Sequence, residues 1–599
     1  MICRFFFYSL AIIVSAAVGA GAVYFLQQNA SPSAGGRPVS NFALLDQNGR
    51  YHQLYDYQSR RAIVLYSHDS GCPTASGIDK LNALRNEFTP DSVAFLLIDS
   101  SGNGQSSREA PDEKRDSKNI PLLNDSTRLV AESLGMMRSG ETVVIDPASW
   151  TVRYRGPIDD RSHDQTETQD PTKNYLKKAI VALSTGHPVE ISERISVGCP
   201  IDFGTDTDAN VLSYSHSIAP ILQKRCVSCH QSGGIGPWAM ESHASVKAWA
   251  GQMRQAIMLK QMPPWHADPS IGEFRHSLAL PPGETKTLVR WINAGAPRGT
   301  GPDPLQTQSE NTVDDWPLGE PDIILTVPTF KIPAEGILAW QYVKLPVPIE
   351  EDTWIRAVHM KPSNRQATHH IFGFVEYPKE RKQEEPKWAE GANSFFAAYV
   401  PGFPVVPFPE GSGRLIPRGS KMIFQRHYLT VGYPTEDNLQ LGLYLHDKPP
   451  AMEYKMATAL NMGIRIPANT RAHPESASVM IPEDGHLHAI YPHMHYRGDS
   501  IRIKALYPDG SEEQLLSVPN YQFQWQMSYQ LRHPKPMPRG TKVTVDAMFD
   551  NSSDNRANPD PNKEVRWGLL STQEMLVNYM MYTTPRRTNP KAGAAQSGS

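Results

Sequence analysis

Cysteine is scarce in this chain: five of its 599 residues are Cys, and none follows Cys229. That count excludes a small disulfide-rich scaffold. A charge excess of one sign is also missing, because 59 basic and 62 acidic side chains leave a formal net charge of −3. We therefore expect no nucleic acid partner. A length of 599 residues is too great for one hydrophobic core, so we expect several domains.

Long apolar runs are confined to the N-terminus, where Phe5 to Leu26 follow Arg4. Residues 1–30 are interpreted as a signal peptide or an N-terminal membrane anchor. The run is long enough to span a bilayer, and Ala20-Gly21-Ala22 offers small residues for cleavage, so both alternatives stay open. In either case we expect a periplasmic or otherwise extracytoplasmic protein, anchored in the inner membrane if the run is retained.

Residues 38–185 show buried strands around one amphipathic helix, which predicts an α/β thioredoxin-like domain. The strands are Ala62–Tyr66, Val93–Ile98 and Thr142–Asp146, and the helix is Ile78–Phe88. The segment resembles the redoxin superfamily, but Cys72 is followed by Pro-Thr-Ala, so a Cys-x-x-Cys dithiol is missing. Asp69 stands where peroxiredoxins have threonine. We expect a structural or docking domain, with a Cys72–Cys199 disulfide or thiol and peroxide chemistry at Cys72 as open alternatives.

Residues 205–300 are predicted to form a small all-α, cytochrome c-like domain with helices at Ser217–Lys224, Val246–Leu259 and Gly283–Ala294. Its motif Cys226-Val-Ser-Cys229-His230 is typical of covalent haem c attachment, with His230 as the proximal ligand. A zinc or disulfide Cys-x-x-Cys is the alternative. Met262, before Pro-Pro-Trp, is the preferred second axial ligand and His266 the competing one. A core role for Met262 is the plain alternative.

From residue 318 the pattern changes to short strands between Pro and Gly turns, which predicts two all-β jelly-roll-like sandwiches at 318–448 and 449–585. Residues 586–599 are expected to be a disordered tail. The predicted fold is therefore multidomain: thioredoxin-like α/β, all-α cytochrome c-like, and two β-sandwiches.

Histidines and one methionine in the β region have types and spacings that suit copper. Two His at i and i+2 on a strand point to one face, so His493 and His495 can share an ion. The adjacent pair His369-His370 needs a bulge or loop to converge. Imidazole suits copper, and thioether favours Cu(I). The remaining candidates are His427 and Met575. The pair His486 and His488 is less favoured, and His359 and His533 are interpreted as structural.

The order His-His, Gln-x-His, His-x-His, Glu-Met resembles the copper type II monooxygenases, the family of peptidylglycine hydroxylating monooxygenase and dopamine β-hydroxylase. The resemblance covers about 318–585 and implies two stacked sandwiches with one copper on each. It implies that His369, His370 and His427 hold an electron-transfer copper, and that His493, His495 and Met575 hold the copper where dioxygen reacts. Gln425 matches a glutamine between the sites, and the segment from Asp550 to Gly568 resembles bacterial members.

Two departures from the animal enzymes limit the resemblance. The sandwiches lack cysteine, so no disulfide can stabilise them, and the substrate-gripping residues do not align. The implied function is an O2-dependent hydroxylase acting on a small-molecule or peptide-like substrate, with two copper ions and one haem c that passes on electrons from an external donor such as ascorbate or a quinol-linked cytochrome. The alternative is a periplasmic electron-transfer or copper-handling protein.

Overall fold

The structure is a computed structural model that describes residues 36–69, 71–72, 77–101, 120–161, 173–204, 213–306, 316–336, 338–381 and 395–586. The predicted leader at 1–30 and nearly all of the predicted tail lie outside these ranges. Among the described residues, no helix is long and apolar enough to cross a membrane.

The N-terminal domain has the predicted α/β character. Its strands are β1 (Arg37–Pro38), β2 (Ala43–Leu45), β3 (Tyr51–Gln53), β4 (Ala62–His68), β5 (Val93–Asp99), β6 (Leu122–Asn124), β7 (Thr142–Asp146) and β8 (Thr151–Gly156), and its helices are α1 (Gly77–Arg85), α2 (Leu129–Leu134) and α3 (Tyr175–Ser184). A 3₁₀ turn covers Leu54–Tyr57. Six strands form one sheet in the order β1-β8-β7-β4-β5-β6. Strand β4 is parallel to β5 and antiparallel to β7.

Both faces of this sheet are covered, which explains the continuous apolar run of β4. Ala62, Val64 and Tyr66 pack on one face with residues of α1 and α3. Ile63 and Leu65 belong to the opposite core, which continues into the helical unit that follows in the chain. The thioredoxin-like domain and the helical unit therefore share apolar packing.

The helical unit contains α4 (Ala219–Arg225), α5 (His243–Ala248), α6 (Ala250–Met258) and α7 (Pro282–Asn293), and a π-type turn at Tyr214–Ile218 precedes α4. The prediction of one helix over Val246–Leu259 was wrong, because the helix is interrupted at Trp249, which separates α5 from α6. The side chain of Ser242 caps α5 by accepting a hydrogen bond from Ser245 N. The first helix therefore begins at His243, before the predicted start at Val246.

The β region comprises two sandwiches. Their strands are β9 (Ile323–Thr326), β10 (Phe330–Ile332), β11 (Gln341–Pro346), β12 (Thr353–Lys361), β13 (Thr368–Glu376), β14 (Phe395–Tyr399), β15 (Ser412–Ile416), β16 (Lys421–Tyr428), β17 (Thr435–Asp437), β18 (Gln440–Leu445), β19 (Met452–Leu460), β20 (Arg465–Ile466), β21 (His473–Met480), β22 (Gly485–His493), β23 (Gly498–Leu506), β24 (Glu512–Val518), β25 (Tyr529–Met537), β26 (Lys542–Phe549), β27 (Val565–Arg566) and β28 (Val577–Pro585). A short 3₁₀ turn covers Lys379–Arg381.

One eight-stranded sheet runs through both sandwiches in the order β25-β22-β28-β19-β15-β12-β18-β9. Its halves meet at the parallel pairing of β15 with β19. Two four-stranded sheets supply the remaining layers, with the orders β11-β16-β13-β14 and β21-β26-β23-β24. The shared sheet ties the two sandwiches together without a disulfide.

The chain between α6 and α7 leaves the helical unit and packs into the second sandwich. Trp265 and Phe274 join the core of that sandwich, and the Trp265 ring lies edge-on to Tyr529 at 5.0 Å. Backbone hydrogen bonds reinforce the contact, including Asp268 N to Ser517 O at 2.8 Å. This segment holds the helical unit against the second sandwich.

Trp265→Ala should weaken this docking, because it removes a large side chain that is only 9% exposed. We expect a loss of about 3–5 kcal/mol in the free energy of unfolding of the second sandwich. Urea unfolding followed by circular dichroism measures it, with Leu570→Ala as the control because that side chain is 66% exposed. Equal stability of the two variants would show that Trp265 does not anchor the segment.

Candidate functional site

His369, His370 and His427 converge in the first sandwich. His370 on β13 lies directly opposite His427 on β16, and the register shifts between Thr368 and His370. This irregularity is the bulge that adjacent histidines require, so both rings turn to one side. The Nδ1 atoms of His369 and His370 are 3.0 Å apart, and one ring nitrogen from each of the three residues lies within 4.8 Å of the others.

The ring nitrogens of these three histidines are better suited to bind a shared metal ion than to hydrogen-bond one another. His370 Nε2 and His427 Nδ1 are buried without a hydrogen-bond partner among the described atoms. Burial lowers the pKa of His369 and of His427 to about 4, and it lowers the pKa of His370 as well. Neutral imidazoles are the form that binds copper.

His493 and His495 form a second cluster at the end of β22. His493 ends the strand and His495 lies just beyond it, so the predicted strand spacing holds only in part. Their ring centroids are 5.1 Å apart. The Nδ1–H of His493 donates to Gln526 Oε1 at 2.6 Å, and that of His495 donates to the Gln573 carbonyl at 3.1 Å. Both bonds leave Nε2 as the free ligand atom, and His495 Nε2 is buried without a partner among the described atoms.

Glu574 connects this cluster to Met575. Its carboxylate accepts hydrogen bonds from the backbone amides of His495 at 2.9 Å, Arg497 at 2.7 Å and Met575 at 3.3 Å. Burial raises the pKa of Glu574, whereas the backbone amide donors and the charge of Arg497 oppose that shift and favour the ionised carboxylate. The backbone of Met575 is thereby held beside the segment that carries His495, and the side chain of Met575 is buried.

Arg497 lies beside Glu574, with Nη1 3.9 Å from Oε1 and both side chains almost inaccessible to solvent. Its Nε donates to Asn551 Oδ1 at 2.8 Å, and its Nη1 donates to the Thr572 carbonyl. Asn551 in turn donates to the carbonyls of Pro467 and Lys563. Sequence reasoning missed this network, although the segment from Asp550 was noted for its family resemblance.

A loop of the second sandwich touches both histidine clusters. Phe523 meets the His495 ring edge-on at 5.7 Å, Gln526 accepts from His493, and the backbone of Gln524 hydrogen-bonds His369. Besides burial, nearby His369, His427, His493 and His495 lower the pKa of His370. The two clusters therefore lie near each other on either side of this loop, and no motif in the sequence indicated the role of the loop.

The remaining predicted residues of the β region lie as follows. Gln425 on β16 is buried and donates to the Tyr342 hydroxyl. His488 hydrogen-bonds Thr583 at 2.9 Å, whereas His486 and His533 are exposed. His359 is buried against Trp316. His486 and His488 thus do not join the cluster of His493.

Cys226, Cys229 and His230 form a tight turn at the end of α4. The amides of Cys229 and His230 both donate to the Cys226 carbonyl, at 3.2 and 3.0 Å. The Nδ1–H of His230 donates to the Trp238 carbonyl at 3.1 Å, which leaves Nε2 for a metal. Both cysteines are free and half-buried. Cys226, Cys229 and His230 are therefore the residues that could hold a covalently attached haem.

Two further positions bear on this motif. Met262 is half-buried in the turn that follows α6, three residues beyond Leu259 and directly before Pro263. His266 lies between Trp265 and Ala267 on the segment that packs into the second sandwich. Among the described residues, no hydrogen bond joins the side chain of Met262 or His266 to the turn of Cys226 and His230.

The other two cysteines are joined. Cys72 and Cys199 form a disulfide across a sequence separation of 127 residues. It links the thioredoxin-like domain to the chain that leads into the helical unit.

Two stretches of the chain match known protein families. Residues 455–594 match the family model of the copper type II ascorbate-dependent monooxygenase, C-terminal domain. Residues 36–161 match the AhpC/TSA family. The chain thus carries a copper monooxygenase-like domain, which indicates an oxidoreductase that uses copper and O2, and a thioredoxin-like domain.

Solved structures are similar over short stretches. A hypothetical protein from Sinorhizobium meliloti 1021 is 22% identical, with 28% of this chain and 94% of that one covered and a TM-score of 0.25. An uncharacterized conserved protein from Geobacillus kaustophilus is 25% identical, with 29% of this chain and 93% of that one covered and a TM-score of 0.25. The exposed lipoprotein thioredoxin of Streptococcus pneumoniae strain TIGR4 is 19% identical, with 24% of this chain and 99% of that one covered and a TM-score of 0.18. No curated protein sequence matches the chain.

Arg497→Met should strongly destabilise the second sandwich, because it removes the donor to Asn551 and leaves Glu574 without its cation. We expect a loss of about 3–5 kcal/mol in the free energy of unfolding, as for other broken buried ion pairs. Urea unfolding measures it. Arg471→Met is the matched control, because Arg471 pairs with Asp554 at the surface and should cost at most about 1 kcal/mol. Similar losses in both variants would refute the structural role of Arg497.

Proposed function

We propose that this protein is a copper-dependent monooxygenase that hydroxylates a C–H bond of an organic substrate with O2 and receives its electrons through a covalently bound haem c. The observation that carries the proposal is the pair of neighbouring histidine clusters with buried ring nitrogens that lack a hydrogen-bond partner among the described atoms. The match of residues 455–594 to the copper monooxygenase domain supports the same function.

The stoichiometry of hydroxylation determines how many electrons and protons must reach the site. Hydroxylation of R–H with O2 gives R–OH and water, and it consumes two electrons and two protons. Copper supplies one-electron chemistry and reactivity with O2 when it is bound. His369, His370 and His427 would hold the copper that stores one electron, and His493, His495 and Met575 would hold the copper that meets O2 and substrate.

The protein's own residues keep the site of His493, His495 and Met575 preorganised. Gln526 and the Gln573 carbonyl fix the tautomers of His493 and His495, so that each ring presents Nε2. Glu574 holds Met575 near the same segment. Phe523 and the buried surroundings exclude water from His495, which limits side reactions of a reactive oxidant.

The haem motif contacts the first sandwich directly. A Cβ atom on Gly402 would lie 2.6 Å from Cys229 Sγ, so only a glycine allows this approach. Tyr399, three residues earlier, lies opposite Ile371 in the pairing of β14 with β13, and Ile371 follows His370. This short path supports electron delivery from the haem motif to the His369, His370 and His427 site.

An oxidising compartment suits the chain, because Cys72 and Cys199 are paired and haem c is attached outside the cytoplasm. We therefore propose a periplasmic or extracytoplasmic location. The electrons would come from an external donor such as ascorbate or a quinol-linked cytochrome.

Removing one ligand from each cluster should remove one copper at a time. We expect His370→Ala and His495→Ala each to bind one copper per chain, against two in the wild type, because each cluster loses a ligand. Mass spectrometry for metal content and electron paramagnetic resonance of Cu(II) measure this. His486→Ala, which changes an exposed ring outside both clusters, should keep both ions. Unchanged copper content in the first two variants, or zinc in the sites, would reject the assignment.

Gly402→Ala should slow the reduction of copper by the haem, because the added Cβ meets Cys229 Sγ. Stopped-flow absorbance of the haem under anaerobic conditions measures the rate. Gly411→Ala is the matched control: Gly411 has a similar positive φ of 72°, against 81° for Gly402, but nothing lies within 4 Å of its Cβ position. Equal rates in both variants would exclude this path, provided that each carries one haem per chain by intact mass.

A further inference from the structure

Each sandwich carries an aromatic ring two residues away from one of its histidine ligands. On β13, Phe372 follows His370, and on β22, Tyr491 precedes His493. Because side chains at i and i+2 of a strand lie on the same face, each ring shares the face of the histidine next to it. The rings of His370 and Phe372 are stacked, with centroids 4.7 Å apart and planes at 27°. The first cluster is therefore in ring contact with Phe372.

The two aromatic rings meet where the sandwiches face each other. The centroids of Phe372 and Tyr491 are 6.2 Å apart and their planes lie at 83°, which is an edge-to-face contact. Phe372 is 6% exposed and Tyr491 is 5% exposed, so water has little access to this contact. The rings form a continuous series from His370 to Tyr491, and only Pro492 separates Tyr491 from His493 along β22.

Two further rings pack around this contact. Phe395 on β14 lies 5.8 Å from Phe372 and 6.1 Å from Tyr491. Tyr579 on β28 stacks on Phe395 at 5.5 Å and on Tyr491 at 5.9 Å. We call Phe372, Phe395, Tyr491 and Tyr579 the ring bridge. Each sandwich contributes two of the four rings, so the ring bridge fixes the distance between β13 and β22.

We propose that the ring bridge is the route by which electrons cross from the first cluster to the second cluster, through the contact between Phe372 and Tyr491. This inference rests on the proposed function, because it assigns the route between the two coppers of that function. One electron leaves Cu(I) at the first cluster, which becomes Cu(II), and reduces Cu(II) at the second cluster to Cu(I). No bond is broken and no proton is transferred.

The ring of Tyr491 serves this route without its hydroxyl group. The Oη atom is buried and has no hydrogen-bond partner among the described atoms. Oxidation of a phenol requires a neighbouring group that takes up its proton, so Tyr491 stays neutral and the electron tunnels through the rings in one step. Atoms in van der Waals contact couple two metal sites better than a water-filled gap of the same length. Phenylalanine should therefore replace Tyr491, whereas leucine should not.

The experiment reduces the oxidised, copper-loaded full-length protein with ascorbate under anaerobic conditions. Rapid freeze-quench electron paramagnetic resonance follows the Cu(II) resonance of each site. His370→Ala, which is expected to lack the first copper, gives the rate at which the second site is reduced without the ring bridge. We expect the second site of the wild type to be reduced several-fold faster than that of His370→Ala. Tyr491→Leu and Phe372→Leu should fall to the slower rate.

Two controls separate the route from the packing of the sandwiches. Tyr491→Phe keeps the ring and should keep the wild-type rate. Phe408→Leu should also keep that rate, because Phe408 joins the sandwiches outside the ring bridge, through Tyr454 at a centroid distance of 4.9 Å. Metal analysis must show two coppers per chain in each leucine variant, and isoleucine replaces leucine at a position where a copper is lost.

Reduction of the second site at the wild-type rate in Tyr491→Leu and Phe372→Leu, with both coppers bound, would overturn the ring bridge and leave the proposed function intact. Slow reduction in Phe408→Leu as well would show that the variants act through packing, and would also overturn the ring bridge. Absence of two Cu(II) resonances in the wild type would instead overturn the proposed function, and the ring bridge with it.

Discussion

The carboxylate of Glu574 is fully buried and accepts hydrogen bonds from the backbone amides of His495, Arg497 and Met575. Such a group is costly to bury unless its partners are complete. Arg497 and the backbone amides meet that requirement, and Asn551 ties the arginine to two further loops. The second histidine cluster depends on this network, because it sets the spacing between the His-x-His segment and Met575.

The first cluster depends on the second sandwich as well as on its own strands. His369 is hydrogen-bonded to the backbone of Gln524, and the same loop holds His493 through Gln526. The eight-stranded sheet that runs through both sandwiches limits their relative movement. The proposed electron delivery between the sites would require both sandwiches, and the helical unit contacts them where Cys229 meets Gly402 and where Trp265 joins the second core.

Strands and helices could be predicted from the sequence where the hydrophobic periodicity is strong and involves neighbouring residues. Strand Thr142–Asp146 was predicted with its observed bounds, and the bulge at His369-His370 followed from the geometry of adjacent side chains. The break at Trp249 was missed, because the capping of α5 by Ser242 competes with one long apolar pattern. The roles of Gln526 and Arg497 were missed because their partners lie far away in the chain, and only the folded structure brings them together.

The central claim is that one haem and two coppers form one electron-transfer system. Anaerobic titration of the copper-loaded full-length protein with ascorbate, which leaves disulfides intact, tests it most directly when the haem absorbance and the Cu(II) resonance are followed together. The account predicts that each chain takes up one electron for the haem and one for each copper, and that both signals change. Uptake of a single electron by the haem, with the Cu(II) resonance unchanged or absent, would contradict it.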